Sequence, residues 1–205
     1  MDAVKRLLAK DGVDVNQARK EGPEGWMAGA TALYHASRNG HKDVVRFLLQ
    51  AGANVNQANK NGSTPLNIAS ENGHTEMVGL LLQAGADANQ ANKHGETPLN
   101  KAIENGRTEM VRFLLQAGAD PNLPVGRNCP LQLACNTTIH IQCVEYLLRH
   151  EKICIPPEIE IHDQTIVDKL QRYKKFQRNV HIRMCKHFFK TIPTDLIRKF
   201  AFYII

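Results

Sequence analysis

An all-α solenoid is the fold class this sequence predicts, and three observations carry the prediction. First, marker residues return every 33 positions: Gly29, Gly62 and Gly95; Thr31, Thr64 and Thr97; Leu33, Leu66 and Leu99; Gly52, Gly85 and Gly118. The stretch NGSTPLNIASENGHTEMVGLLLQAGADANQANK (61–93) is followed directly by HGETPLNKAIENGRTEMVRFLLQAGADPNLPVG (94–126). Second, each period carries the same helix start and stop signals. Third, two short helices per period cannot bury their apolar faces alone. Piling neighbours at a fixed interval gives them a shared seam.

The elements follow in order within a period. Thr64-Pro65 opens a helix, because a hydroxyl caps free N–H groups and proline at the first helical position has no N–H to leave unpaired. Leu66 and Ala69 lie three apart on its apolar side, and Asn72-Gly73 closes it. Met77, Val78, Leu80, Leu81 and Leu82 form a second amphipathic run that Gly85 stops. ADANQANKHG then supplies Asn, Asp and Gly for a turn-rich finger. The units are a helix-plus-finger fragment from Asp2 to about Gly22, two close copies between Gly29 and His94, a third from Gly95, and a drifted one from Arg127 to His150. In the drifted unit Cys129-Pro130-Leu131 replaces Thr-Pro-Leu, and Thr138 takes a glycine slot, so a different helix connection is expected there.

After His150 the period ends, and Ile155-Pro156-Pro157 breaks the helical pattern. Ile166, Val167, Leu170 and Tyr173 share one helix face; Val180, Met184 and Phe188, with Cys185 and Phe189, share another; Pro193 opens a third segment with Leu196, Ile197, Phe200 and Ile204. The expected organisation is an array over 1–150 and a small helical module over 151–205.

Composition narrows the function. Of the net charge of +6, +5 lies in the module, which carries eleven Lys/Arg against six Asp/Glu. The array is therefore nearly neutral and shows no basic groove for phosphates. No apolar run approaches the roughly 20 residues of a membrane helix, and MDAVKRLLAKDG lacks the long apolar segment of a signal peptide. All five cysteines lie in the C-terminal half, and reduced thiols in a cytosol-like compartment are expected. No nucleophile elbow, phosphate loop or His-Glu-x-x-His motif occurs. Cys129, Cys135, His140 and Cys143 match no short Cys-x-x-Cys knuckle, and His181 with Cys185 supplies only two ligands. Neither an enzyme nor a bound cofactor or metal is expected.

The pattern G-x-T-P-L-x-x-A, then G-H-x-x-x-V-x-x-L-L-L-x-x-G-A-x-x-N, resembles ankyrin repeats over residues 1 to 150. The full expectation is an ankyrin-repeat solenoid of helix-turn-helix units with β-hairpin-like fingers, plus the helical C-terminal module. The resemblance implies a concave face, built from finger tips and first helices, that binds a protein partner. Mapped unit by unit, that face comprises Arg38 and Asn39; Lys60, Asn61 and Ser63; Glu71 and Asn72; Lys93, His94 and Glu96; and Glu104 and Asn105. The family places a histidine after Thr-Pro-Leu; here Tyr34, Asn67, Asn100 and Gln132 stand there, and a substitute hydrogen bond is expected from the asparagines. The longer finger EGPEGWMAGA holds Trp26 and Met27. Trp26 either folds back over the incomplete first unit or anchors a partner.

Three readings of the tail compete. It caps the last unit. Or it recruits: IPTDLIRKFAFYI resembles the opening of an F-box, as in the PRANC arrangement after ankyrin repeats, through Ile192, Pro193, Leu196, Ile197 and Phe200. With MCKHFFK before it, the same end is similar to a SOCS box. Either resemblance implies contact with cullin-ligase adaptor subunits and a role in ubiquitin-ligase substrate recognition. The third reading is that Lys169, Arg172, Lys174, Lys175, Arg178 and Arg183 bind nucleic acid or an acidic membrane surface. The function expected is protein recognition by a monomeric adaptor or plain scaffold, in the cytoplasm, a host cytoplasm or the nucleus.

Overall fold

The computed structural model describes residues 12–20, 28–126, 128–135 and 141–150, together with residues 6, 153, 168 and 172. The chain divides into two compact units, Met1–His162 and Asp163–Ile205. The second falls almost wholly outside the described residues, as do Trp26, Met27, Thr138 and the tail positions Ile192, Pro193, Leu196, Ile197 and Phe200.

Eight helices are described, in four pairs: α1 (Ala32–Arg38) with α2 (Lys42–Gln50), α3 (Pro65–Asn72) with α4 (Thr75–Gln83), α5 (Pro98–Glu104) with α6 (Thr108–Gln116), and α7 (Pro130–Cys135) with α8 (Ile141–Arg149). The first helices pack in series, α1 on α3, α3 on α5 and α5 on α7, while each first helix packs on its own second helix. No named strand occurs among the described residues; one isolated antiparallel bridge, Val125 to Asn128, lies in the last finger. The fold is the all-α solenoid that the period predicts.

The apolar seam runs along the stack. Leu33, Leu66, Leu99 and Leu131, 1% exposed or less, occupy the same place in successive units, and Val45, Val78, Val111 and Val144 are fully buried in the second helices. Leu48, Leu81, Leu114 and Leu147 form a third buried row. Each buried leucine contributes roughly 1.5–3 kcal/mol of transfer free energy, and each row needs the next unit to close it.

Local chemistry sets the helix boundaries. The hydroxyls of Thr31, Thr64 and Thr97 accept the backbone N–H of Tyr34, Asn67 and Asn100 at 3.2, 3.1 and 3.2 Å. In the last pair Cys129 Sγ fills this role, accepting the N–H of Gln132 at 3.3 Å. Gly73 closes α3 in the left-handed conformation, at φ 77°. Neighbouring units are tied at the same connection, where His74 Nε2 lies 3.0 Å from the Arg38 carbonyl and Asn72 Nδ2 donates to that carbonyl at 3.3 Å.

Fingers join in the same manner. The Lys60 N–H donates to the Ala28 carbonyl at 2.7 Å, and the Lys93 N–H to the Asn61 carbonyl at 2.9 Å. This approach demands glycine. A Cβ on Gly62 would sit 3.0 Å from the Lys93 nitrogen, and φ is +76° there. At their base, Asn56 Oδ1 accepts the Asp87 N–H at 2.9 Å and Asn89 Oδ1 accepts the Asp120 N–H at 2.7 Å.

The asparagine after Thr-Pro-Leu behaves in two ways. Asn67 bridges as expected: its Nδ2 donates to the Glu96 carbonyl at 3.1 Å, while its Oδ1 accepts the Thr64 N–H at 3.0 Å. Asn100, fully buried in the same slot, finds no partner for either side-chain polar atom among the described residues. The next finger explains this. Between Gly118 and Leu131 the chain is one residue shorter than between Gly85 and Leu99. It closes as a tight turn, with Val125 and Asn128 exchanging N–H···O bonds at 2.7 and 2.9 Å. Among the described residues, no carbonyl of this finger accepts from the Asn100 amide.

Candidate functional site

The first helices and the fingers enclose a concavity of about 370 Å³. Its floor is Tyr34 of α1 and Ile68 of α3, its finger wall is Asn59, Asn61, Ser63, Asn92, His94 and Glu96, and its helix wall is Arg38, Glu71, Asn72 and Lys101. It thus draws on three successive units. Arg38, Asn61, Ser63, Glu71, Asn72, His94 and Glu96, seven positions mapped from the sequence, meet here. Lys60 and Lys93 stand exposed at the finger tips, and Asn39 and Asn105 are exposed where α1 and α5 end.

Several of these groups are engaged within the protein. Lys101 Nζ lies 2.8 Å from Glu96 and 3.4 Å from Glu104, with Lys101 and Glu96 side chains each 17% exposed. Glu96 also accepts from Asn92 Nδ2 at 2.7 Å. Burial pushes the Glu96 carboxyl up, but the bonds from Lys101 and Asn92 outweigh it and the group settles below its ordinary value. Burial pushes the Lys101 ammonium down, and its bond to Glu96 with the charge of Glu104 reverses this, leaving it raised. The triad clamps finger to helix. Asn72 and Asn105 donate to the carbonyls of Ile68 and Lys101 at 3.0 and 2.9 Å. Burial raises the Tyr34 hydroxyl, although its hydrogen bond with Ser63 opposes the shift.

Asn59 and Asn92 hold the finger tips in shape. Asn59 Oδ1 accepts the N–H groups of Asn61 and Ser63 at 2.9 and 3.0 Å, and Asn92 Oδ1 accepts those of His94 and Glu96 at the same distances. Neither asparagine, nor Lys101, nor Ile68 belongs to the face mapped from sequence. The register was the available signal: His35, Ile68 and Lys101 occupy one slot in successive first helices, next to the slot of Tyr34, Asn67 and Asn100. Burial, then the charges of Arg19 and Arg38, lower the His35 pKa.

Chemically, the concavity presents amides, a hydroxyl and charged side chains. Among the described residues no group of His, Cys, Asp and Glu converges as a metal site, and no helix is long and apolar enough to cross a membrane. Cys135 is buried and its thiol is pushed up to about 12, chiefly by burial. That thiol behaves as a small apolar side chain.

Comparison with known proteins agrees with this architecture. The ankyrin-repeat family description (Ankyrin repeats, 3 copies) matches residues 1–92, 52–124 and 84–162. Cortactin-binding protein 2 of Rattus norvegicus is 45% identical over 60 residues, which is 29% of this chain and 3% of that protein. The Mus musculus protein of that name is 44% identical over 55 residues, and the Oryctolagus cuniculus one 46% over 55 residues, each 27% of this chain and 3% of the relative. The chain therefore spans about 3% of the length of these curated relatives.

Proposed function

Because this chain belongs to the ankyrin-repeat family, we propose that it is a non-catalytic protein-recognition module that holds a protein partner along its concave face. The observation that carries this reading is the concavity itself, which spans three units and is lined by polar side chains from stacked helices and fingers. A rigid wall of repeats presents such side chains at a constant interval without losing order on binding. The array acts as a monomer in the cytoplasm, and binding rather than turnover is its output.

The C-terminal module extends this to an adaptor. Its sequence IPTDLIRKFAFYI, with the F-box and SOCS-box likeness described above, supports recruitment of cullin-ligase subunits to the bound client. Two experiments test the parts separately. A photo-crosslinking residue at position 61, in the concavity, should capture the partner from the full chain, whereas one at position 50, at the end of α2, should not; the reverse pattern defeats the concave-face reading. Cullin-ligase subunits should co-purify with the full chain and be lost on removal of 155–205. Their absence from the full chain, or their persistence after truncation, defeats the adaptor reading.

A further inference from the structure

Some groups along the concave face are already bonded and others are not. Ser63, Asn72, Glu96, Glu104 and Asn105 are committed to internal bonds. Lys60 and Lys93 are not: both are exposed, and neither ammonium pairs with a carboxylate among the described residues. Their backbones, by contrast, are pinned by the finger-to-finger bonds at 2.7 and 2.9 Å. Two cations are thus mounted on fixed bases with free ends. Each finger tip reads Asn-Lys-x-Gly, over 59–62 and 92–95, and contains no acid. The nearest carboxylate of the finger wall, Glu96, is bound to Lys101 and Asn92. Lys20, also exposed, holds the equivalent place in the preceding finger. The row ends at the next finger, where Gly126 stands in the lysine slot.

From this we infer that the finger-tip ridge selects an acidic, extended polypeptide segment, laid across successive fingers with its carboxylates on Lys60 and Lys93. The inference rests on the concave-face reading and names the chemistry of the partner. Stacked helices lie roughly 8–10 Å apart, so the lysines recur at about that interval. An extended polyproline-type chain repeats its side-chain direction every three residues, about 9 Å, so a carboxylate at every third position keeps step with the fingers. A protein segment fits better than a nucleic acid: the array through His150 carries only +1 of the chain's +6, too little to neutralise a run of phosphates. The Asn61 amide, with no side-chain hydrogen bond among the described residues, lines the same concavity and suits a peptide group.

The test uses the full chain and four probes: a fluorescent peptide with Glu at every third residue, the same peptide with Gln in place of Glu, a lysine counterpart, and a single-stranded oligonucleotide. Support consists of saturable binding of the Glu peptide alone, backbone amide shifts clustered on 59–62 and 92–95, and a loss of about tenfold in the double variant Lys60→Glu/Lys93→Glu. Both side chains point to solvent, so the variant's thermal melt should match the parent's, which separates lost binding from lost folding. The inference is overturned if the Glu peptide fails to bind, if the double variant binds it unchanged, if shifts fall only within 151–205, or if the oligonucleotide competes at equal concentration. In each of these cases a position-61 crosslink to a partner would still uphold concave-face recognition. Absence of that crosslink would instead sink the concave-face reading, and this inference with it.

Discussion

The second and third helix pairs meet differently from the third and fourth. At the first junction, finger approaches finger closely enough that a Cβ on Gly62 would strike the Lys93 nitrogen at 3.0 Å, and Asn67 is bonded on both sides. At the second, the nearest described atom to a Cβ on Gly95 is the Pro124 carbonyl oxygen at 3.9 Å, and the Asn100 side chain is buried with no hydrogen-bond partner among the described residues. The apolar rows continue unbroken across both, since Leu131, Val144 and Leu147 are as buried as their counterparts. Apolar burial is non-directional and tolerates a finger one residue shorter. Hydrogen bonding between fingers is directional and does not. A repeat protein can therefore lose polar coupling at one joint while its seam stays closed.

The largest effect that would sharpen this contrast comes from the glycines. Both Gly62 and Gly95 have positive φ, 76° and 80°, so alanine at either costs about 1–2 kcal/mol of backbone strain. At Gly62 it must also displace a neighbouring backbone, and Gly62→Ala should cost about 3 kcal/mol in urea unfolding, clearly more than Gly95→Ala. Equal losses would show that the two joints are equally tight. Next in size are the asparagines. Asn67→Ala removes bonds and strands the Thr64 N–H in a buried site, at about 2 kcal/mol. Asn100→Ala removes no side-chain bond among the described residues and should cost about 1 kcal/mol or less. A larger loss at Asn100 than at Asn67 would mean that the amide is satisfied after all.

Smaller effects follow at the clamp and the cap. Glu96 has a lowered folded pKa, so its contribution is present above its unfolded value and lost as pH falls through the folded one. Lys101 has a raised pKa, so its contribution is present below its unfolded value and lost as pH rises through the folded one. The melting-temperature gap between the parent and Lys101→Met should accordingly be widest near neutral pH and close as the solution is acidified below the ordinary glutamate range. A gap independent of pH would show that the clamp acts through packing of the lysine stem. Smallest is the cap: Cys129→Thr restores the hydroxyl that the other three pairs use, and should stabilise by about 0.5–1 kcal/mol. If it destabilises, the sulfur is packed rather than capping.

The helix pairs were legible in the sequence because their determinants are local and repeated. Thr64, Pro65 and Gly73 act within a few residues of themselves, and a leucine that returns every 33 positions states its burial in each copy. The site was legible in part. Seven mapped positions do line one concavity, since register alone puts them on one side. Sequence did not reveal that Glu96 and Glu104 are occupied by Lys101, or that Asn59 and Asn92 shape the tips, because these depend on how a finger folds back on its own helix. Nor did it separate Asn100 from Asn67, two identical residues in identical slots.

By itself, then, the amino-acid order determined the period, the helix starts and stops, the glycines at left-handed turns and the rows of residues that must be hidden. These follow from short-range sterics and from an apolar pattern that any stacking of the units has to satisfy. Only the tertiary structure decided which polar groups remain open to a partner: it ties up Glu96, Glu104 and Asn72 and leaves the ammonium groups of Lys60 and Lys93 in water. The physical reason is range. A hydrogen bond or ion pair is won or lost within a fraction of an ångström, and that distance is set by the neighbouring unit rather than by the residue's own place in the chain.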